Sequence, residues 1–150
     1  MWRNLSGLTS VKLKHMKETE KSYIAGHFDG EGCVRFRLKD KHRNFRTPCL
    51  QLQITHLPTL EMYKTLFGGN IYEAKNKIGK PMFKWLLTNF NDILYFVNSI
   101  APFSMEKKEQ LELVKKWVIK RKEFKKTEKL PDSFISFTDD LHITCTLLKG

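Results

Sequence analysis

Two acidic side chains lie within a run of small and apolar residues near the start of the chain. The run extends over residues 23–32, and Asp29 and Glu31 are each followed by a glycine. Its small residues recur at close helical spacing, which lets two helix backbones approach each other closely; they are Ala25, Gly26 and Gly30. Core packing alone does not require this order, so we interpret the run as part of a close helix pair that ends in an acid.

Basic side chains alternate with apolar ones directly after this run. Residues 34–39 alternate strictly, and residues 50–55 repeat the alternation with Gln and Thr in the polar positions. A period of two predicts half-buried strands, whose shared polar face would carry Arg35, Arg37, Lys39, Gln51, Gln53 and Thr55. One such strand is typical of any antiparallel sheet with a solvated face. Two in succession favour base-edge contacts in the major groove, which admits a two-stranded ribbon.

The charge balance also favours a polyanion as the partner. The chain has 150 residues, of which 27 are Lys or Arg and 16 are Asp or Glu, giving a net charge of +11. This length predicts one domain, and the spread of basic residues favours nucleic acid over a membrane, with a merely soluble basic protein as the alternative. Three widely separated cysteines suggest neither a disulfide framework nor a zinc site. No apolar run approaches the roughly 20 residues that span a bilayer, so we expect an intracellular protein without a membrane partner.

The elements that must position these residues alternate between helices and pairs of strands. Helices are predicted over residues 19–29 and 58–67, then after caps at Asn91 and Ser104, and finally from Pro131 to Leu148. A second pair of strands is predicted over residues 70–75 and 82–88, in which Tyr72 and Trp85 are expected to pack within the sheet. The pattern is α+β, with helices on one face of an antiparallel sheet. Residues 1–22 are predicted to form a basic arm and residues 23–150 the folded domain.

Residues 24–32 resemble the nine-residue signature of the LAGLIDADG homing endonucleases. Their sequence is Ile-Ala-Gly-His-Phe-Asp-Gly-Glu-Gly, with Glu31 in place of the final acid and with His27 and Phe28 in place of two aliphatic residues. Glu remains a competent oxygen ligand. His27 is expected to be a packed or surface residue, because its neighbours are apolar or small.

A second resemblance lies near the predicted third core helix. Pro102 and Phe103, followed by Lys107, resemble the segment that opens this helix in the family. The similarity covers roughly residues 23–148 and implies the αββαββα homing-endonuclease fold, with a saddle-shaped antiparallel sheet and extra C-terminal helices. The motif occurs once, and one motif per chain implies a homodimer in this family.

The resemblance also implies roles for individual residues. Glu31 would be the metal-binding acid, and the backbone carbonyl of Gly30 would be a secondary ligand. Lys107 matches the basic residue that lines the family's active-site pocket, where a cation can stabilise developing phosphorane charge. His56 falls where some members have Gln and would position water. Asp29 would serve the helix end rather than the metal.

Physical reasoning supports these implied roles. Packing of the motif helix on its own copy, through Ala25, Gly26 and Gly30, would bring two Glu31 carboxylates together. Such carboxylates repel each other, so divalent cations are needed to neutralise them. Mg²⁺ fits because it combines one or two carboxylates with substrate phosphate, as in two-metal phosphodiester hydrolysis.

The resulting prediction is a homodimeric, Mg²⁺-dependent endonuclease that makes a double-strand break across the minor groove of a long, near-palindromic DNA site. By resemblance it leaves short 3′ overhangs. The predicted DNA contacts are basic and amide side chains of the strands, namely Arg35, Arg37, Lys39, Gln51, Gln53, Lys75 and Lys84. One alternative is a non-cleaving DNA- or RNA-binding module such as an intron maturase, and another is a basic structural protein with an accidental motif. We expect a DNA-associated protein of the cytoplasm or an organelle matrix.

Overall fold

The computed structural model describes residues 16–40, 45–75 and 78–149, without the side chains of Asp40 and Lys75. Residues 1–15 of the predicted arm therefore lie outside the described part. The described elements are, in chain order, α1 (Glu18–Glu31), β1 (Gly32–Asp40), β2 (Phe45–Ile54), α2 (Leu57–Phe67), β3 (Asn70–Lys75), β4 (Pro81–Leu87), α3 (Phe90–Ile100), a 3-10 turn (Ala101–Phe103), α4 (Lys108–Arg121) and α5 (Asp132–Leu148). This order confirms the predicted αββαββα core with extra C-terminal helices.

The four strands form one antiparallel sheet in the order β1-β2-β4-β3. β1 pairs with β2 so that Cys33 lies opposite Gln51. β2 pairs with β4 so that Gln53 lies opposite Lys84, and Lys84 in turn lies opposite Tyr72 of β3. Because successive side chains of a strand point to opposite faces, this register places the polar residues of three strands on one face of the sheet.

The opposite face of the sheet packs against the helices and forms the core. Val34 and Trp85 are fully buried there, which confirms that Trp85 is a packing residue. Its indole N–H donates to the Gly68 carbonyl at 2.8 Å. Phe28 of α1 meets Phe96 of α3 edge to face, with ring centroids 5.0 Å apart. The motif helix is therefore anchored to the core by its apolar side.

α1 continues to Glu31, two residues beyond its predicted end at Asp29. Gly30 lies inside the helix, and Gly32 is the cap, whose N–H donates to the Phe28 carbonyl. A side chain at Gly32 would collide with the Phe28 ring, so the passage from helix to strand needs glycine at this position. The helix thus carries the acid on its last residue.

The start of α3 corrects the predicted cap at Asn91. The helix begins at Phe90, and Asn89 is its cap, accepting the backbone N–H of Asp92 at 3.0 Å. The Asn91 side chain instead accepts a hydrogen bond from the Lys122 ammonium. Asn is a favourable cap residue at either position. β4 ends at Leu87, and this end determines that Asn89 is the residue that caps the helix.

The C-terminal helices cover the core beside β1 and β2. α4 begins at Lys108, so the predicted cap at Ser104 is wrong, and α5 confirms the helix predicted after Pro131. The two helices are joined by a buried contact in which the Trp117 indole donates to the Thr138 hydroxyl at 2.8 Å. Among the described helices, none combines the length and the apolar character needed to cross a membrane.

Candidate active site and nucleic-acid interface

The buried carboxylate of Asp29 joins the end of α1 to the segment before α4. It accepts the Ser104 hydroxyl at 2.5 Å and the backbone N–H groups of Met105, Glu106 and Lys107 at 2.8, 3.2 and 3.2 Å. Burial raises the pKa of Asp29, but the four hydrogen bonds together outweigh it and hold the pKa below its ordinary value. These contacts confirm the structural role predicted for Asp29, and they explain why Ser104 does not cap α4.

Lys107 lies at the same helix end. Its ammonium donates to the backbone carbonyl of Asp29, and a cation in this place also interacts favourably with the negative end of the helix dipole. The ammonium of Lys107 is thus held at Asp29, which precedes Glu31 by two residues in the chain. It is not among the described residues that line the cavity beside Glu31, and its role at a reacting phosphate stays a prediction.

Glu31 lines a cavity of about 480 Å³ at the end of α1. Its side chain is exposed, because α1 ends here and the following strand turns into the sheet. The other lining residues come from α1, β2, α2, β4 and the two residues between β2 and α2, namely His27, Gln53, Ile54, Thr55, His56, Thr59 and Met82. The cavity therefore brings the predicted acid together with His56 and with a residue of the predicted DNA-binding face.

His56 is the residue that precedes α2. Its Nδ1 lies 2.7 Å from the Thr59 hydroxyl, one turn into the helix. This contact restrains an exposed imidazole at the border of the cavity. The placement is compatible with the predicted contact to water, which stays a prediction.

His27, which was expected to be a packed or surface residue, also lines this cavity. The side chain is half-buried, and its Nδ1 lies 2.9 Å from the Tyr63 hydroxyl oxygen. It stands one helical turn before Glu31, and residues four apart share a helix face. That spacing is the signal by which the sequence could have revealed its position.

The polar face of the sheet carries most of the predicted DNA contacts. Arg35, Lys39 and Gln53 are exposed, whereas Arg37, Gln51 and Lys84 are half-buried. Lys75 is the last residue of β3, and its side chain lies outside the described part. Tyr72 is 51% exposed beside Lys84, so its expected packing within the sheet is wrong. It lies on β3, which is an edge strand of the sheet.

The exposed side of α1 corrects one predicted interface residue. Ala25 is completely buried in the core of its own chain, so it is unavailable to a second helix. Gly26 and Gly30 are exposed, and a Cβ atom at either would meet no other group within 4 Å. With Tyr23, which is 61% exposed, they form an open stripe at spacings of three and four residues. Their contact with a second copy stays a prediction.

The oxygen atoms that line the cavity beside Glu31 could supply only some of the ligands of a metal ion. In residues 16–40, 45–75 and 78–149, no group of three or more His, Cys, Asp or Glu side chains is placed to hold a metal ion. Glu31 contributes the carboxylate of the cavity, while Gln53, Thr55 and Thr59 offer neutral oxygens. Such a set suits Mg²⁺, which keeps several water ligands and takes substrate phosphate oxygens alongside one or two carboxylates.

Comparison with known proteins gives one curated relative and many similar structures. No family model matches the chain. The intron-encoded RNA maturase bI4 of Saccharomyces cerevisiae is 31% identical over 102 residues, which cover 65% of this chain but only 15% of the maturase. The homing endonuclease I-CvuI, in complex with a DNA target, superposes with a TM-score of 0.70 at 17% identity, over 87% of this chain and 82% of that one. The chain has the LAGLIDADG homing-endonuclease fold.

Other structures with the LAGLIDADG fold differ in how much of them this chain covers. The archaeal intron-encoded endonuclease I-Vdi141I, complexed with DNA, is matched over 84% of this chain and 98% of its own, with a TM-score of 0.57 and 20% identity. The LAGLIDADG meganuclease I-AabMI, bound to uncleaved DNA, is matched over 81% of this chain but 43% of its own, with a TM-score of 0.65 and 19% identity. Most of this chain thus matches nearly the whole of one I-Vdi141I chain but less than half of I-AabMI.

Proposed function

We propose that the chain is a site-specific DNA endonuclease of the LAGLIDADG family that requires a divalent metal and acts as a homodimer. The observation that carries the proposal is the position of Glu31. It is the last residue of the motif helix, lies in a cavity, and adjoins the polar face of the sheet through Gln53. A carboxylate next to a cationic strand face suits hydrolysis of a phosphodiester held against the strands.

The metal site is proposed to contain Glu31, the carbonyl of Gly30 and oxygen atoms of the substrate. A bound Mg²⁺ would stabilise charge on the phosphate and supply a water or hydroxide nucleophile at neutral pH. Lys107 would add a positive charge near the same phosphate, and its contact with the Asp29 carbonyl restrains its position. His56, restrained by Thr59, would hold water at the border of the cavity.

The exposed stripe of α1 supports a second copy as the partner. Gly26 and Gly30 leave room for a helix backbone, and an apolar groove of about 270 Å³ adjoins the stripe between α1 and α2. Two-fold packing through this stripe would place one Glu31 from each copy near one strand of the duplex. The coverage of less than half of I-AabMI agrees with one copy supplying half of the fold needed to cut both strands.

The polar face of β1, β2 and β4 is the proposed DNA-binding surface. Arginine and amide side chains can pair with base edges in the major groove, and both arginines and lysines can neutralise phosphates. The I-CvuI and I-Vdi141I structures contain DNA, which supports duplex DNA as the substrate. Tyr72 joins this surface as an additional proposed contact, because it is exposed beside Lys84.

The test is a selection of cleaved sites from randomised duplex DNA with Mg²⁺, with wild type and Glu31→Gln in parallel. We expect wild type to enrich a long, near-palindromic site with both strands cut, and the variant to bind that site without cutting it. A wild-type protein that binds a site without nicking it would favour the non-cleaving alternative. Equal cutting by Glu31→Gln would show that the metal assignment is wrong.

Binding of RNA is the second candidate function. Residues 115–129 contain eight Lys or Arg against two Glu, and α4 buries Trp117 and Val118 towards the core, so its exposed side faces away from the sheet. A polyanion could therefore bind there separately from DNA on the strands, and the 31% identity to an RNA maturase favours RNA. Reversing the charge of Lys115 and Lys126 should then weaken RNA binding while DNA cleavage is retained.

A further inference from the structure

His27 and Glu31 stand one helical turn apart on α1 and line the same cavity. The signature motif has an aliphatic residue at the position of His27, so this imidazole is a feature of this chain. It is half-buried, and thus partly shielded from solvent while remaining open to the cavity. Its chemistry can therefore affect whatever is held beside Glu31.

Contacts on two sides hold the imidazole in place. Tyr23 stacks on it, with ring centroids 6.2 Å apart and planes inclined by 15°. The Tyr63 hydroxyl oxygen lies 2.9 Å from Nδ1. Tyr63 is itself fully buried within α2, so it is a fixed support for the ring.

The direction in which the Tyr63 hydroxyl donates decides which ring nitrogen of His27 carries the proton. The Tyr63 hydroxyl donates to the backbone carbonyl of Ile24 at 3.4 Å. Burial raises the pKa of Tyr63, which keeps the phenol protonated. A phenol has a single proton to donate, so when that proton points to the Ile24 carbonyl, Nδ1 of His27 donates to the Tyr63 oxygen at 2.9 Å. Nε2 of the neutral imidazole is then left with a free lone pair, as a hydrogen-bond acceptor.

We propose that His27 is a positioning residue for phosphodiester hydrolysis, whose Nε2 accepts a hydrogen bond from the attacking water in the cavity of Glu31. This inference rests on the proposed endonuclease function. In the step, the water oxygen forms a bond to phosphorus while one bond from phosphorus to a sugar oxygen breaks. The sugar oxygen takes up a proton, and the proton lost by the water passes to solvent. Nε2 orients the water lone pair towards phosphorus.

Three substitutions separate this role from simple packing. His27→Phe keeps an aromatic ring between Tyr23 and Tyr63 but removes both nitrogens. His27→Gln keeps a side-chain oxygen that can accept a hydrogen bond. Tyr63→Phe leaves His27 unchanged but removes the oxygen that Nδ1 contacts. Thermal melting of each variant shows whether it folds.

The first measurement is nitrogen NMR of ¹⁵N-histidine-labelled protein, assigned by comparison with His27→Gln. We expect Nδ1 of His27 to be protonated and Nε2 to be unprotonated in wild type, with this preference lost in Tyr63→Phe. A wild-type ring protonated at Nε2 alone would overturn the proposal. This result does not depend on cleavage.

The second measurement is single-turnover cleavage with Mg²⁺, beside DNA affinity with Ca²⁺. We expect His27→Phe to cleave roughly 10- to 100-fold more slowly, the size of effect seen when a reacting group is misplaced by about 1 Å. Its DNA affinity should stay within about twofold of wild type, as expected for a group that acts on the reacting water and not on DNA binding. His27→Gln should recover part of the rate, and Tyr63→Phe should lower it.

The outcomes distinguish this inference from the function on which it rests. Cleavage by His27→Phe at the wild-type rate, or an equal loss in His27→Phe and His27→Gln, would overturn the role of His27 and leave the endonuclease in place. A wild-type protein that cuts no DNA would overturn both. If His27→Phe does not fold, Tyr63→Phe decides, because an unchanged cleavage rate there would contradict the proposed role of Nε2.

Discussion

Replacing Asp29 by Asn should destabilise the protein strongly, although the two side chains have nearly the same shape. The Asp29 carboxylate accepts four hydrogen bonds, with Oδ1 accepting Ser104 and the Lys107 N–H, and Oδ2 accepting the N–H groups of Met105 and Glu106. An amide has one accepting oxygen, so two of the four donors would face an NH₂ group or lose their partner.

The size of the effect follows from the bonds that are lost. Hydrogen bonds to charged groups contribute about 1.5–3 kcal/mol each, and an unsatisfied buried donor costs a further desolvation penalty. Asp29 is only 8% exposed, so solvent does little to replace them. We expect Asp29→Asn to lower the free energy of unfolding by about 3 kcal/mol, which corresponds to roughly 6–12 °C in melting temperature for a chain of this length.

The assay is urea unfolding at one protein concentration, with Asp140→Asn as the matched control. Asp140 is exposed on α5, so the control makes the same change of charge without removing a buried network. It should change stability by no more than about 0.5 kcal/mol. If Asp29→Asn loses no more stability than Asp140→Asn, the hydrogen bonds of Asp29 do not hold the two segments together.

The same network predicts how stability depends on pH. The pKa of Asp29 is lowered in the folded protein, because its hydrogen bonds outweigh the effect of burial. The ionised group thus contributes stability above the ordinary Asp pKa of about 4, and this contribution is lost as the pH falls through the lower, folded-state value. The difference in stability between wild type and Asp29→Asn should therefore shrink below pH 4, and a constant difference would contradict the assignment.

Two further predictions concern the partners of the chain. Gly26→Ala should stabilise the isolated chain by about 0.5–1 kcal/mol, because alanine favours the helix and the space around Gly26 is open. It should also weaken self-association in analytical ultracentrifugation, and unchanged association would show that this stripe is not the dimer interface. The affinity for DNA falls with salt, and Arg35→Ala should make the slope of log affinity against log salt less steep by about 0.9, as expected for one lost phosphate contact. Lys126→Ala, after α4, should leave that slope unchanged, and a slope unaffected by Arg35→Ala would mean that β1 does not contact phosphates.

The elements themselves could be predicted well from the sequence, because each has a strong local signal. Strict alternation identifies β1 and β2, and Gly68 ends α2 where the helical pattern stops. The cap positions were harder. Asn89 and Asn91 are equivalent in type, and only the length of the preceding strand chooses between them. Ser104 has the right residue type for a cap, but its hydroxyl donates a hydrogen bond to the Asp29 carboxylate, which is distant in sequence.

The candidate site was only partly predictable, for a related reason. The motif identifies Glu31 and the structural Asp29 by their order along the chain. It does not reveal which side of α1 faces the core, and this orientation buries Ala25 while Gly26 and Gly30 stay exposed. Nor does it reveal Tyr63, which lies 36 residues after His27 and contacts its ring only after α1 and α2 have packed together. Contacts between distant elements depend on tertiary packing, which no local pattern encodes.

The central claim is that each copy contributes one Glu31 and thereby cuts one strand. The most direct measurement uses a tandem protein, in which two copies are joined by a flexible linker and only one carries Glu31→Gln, acting on a supercoiled plasmid with the selected site. We expect the doubly wild-type tandem to linearise the plasmid and the mixed tandem to nick it without linearising it. Linearisation by the mixed tandem at the wild-type rate would contradict the claim, and so would nicking by a tandem with Glu31→Gln in both copies.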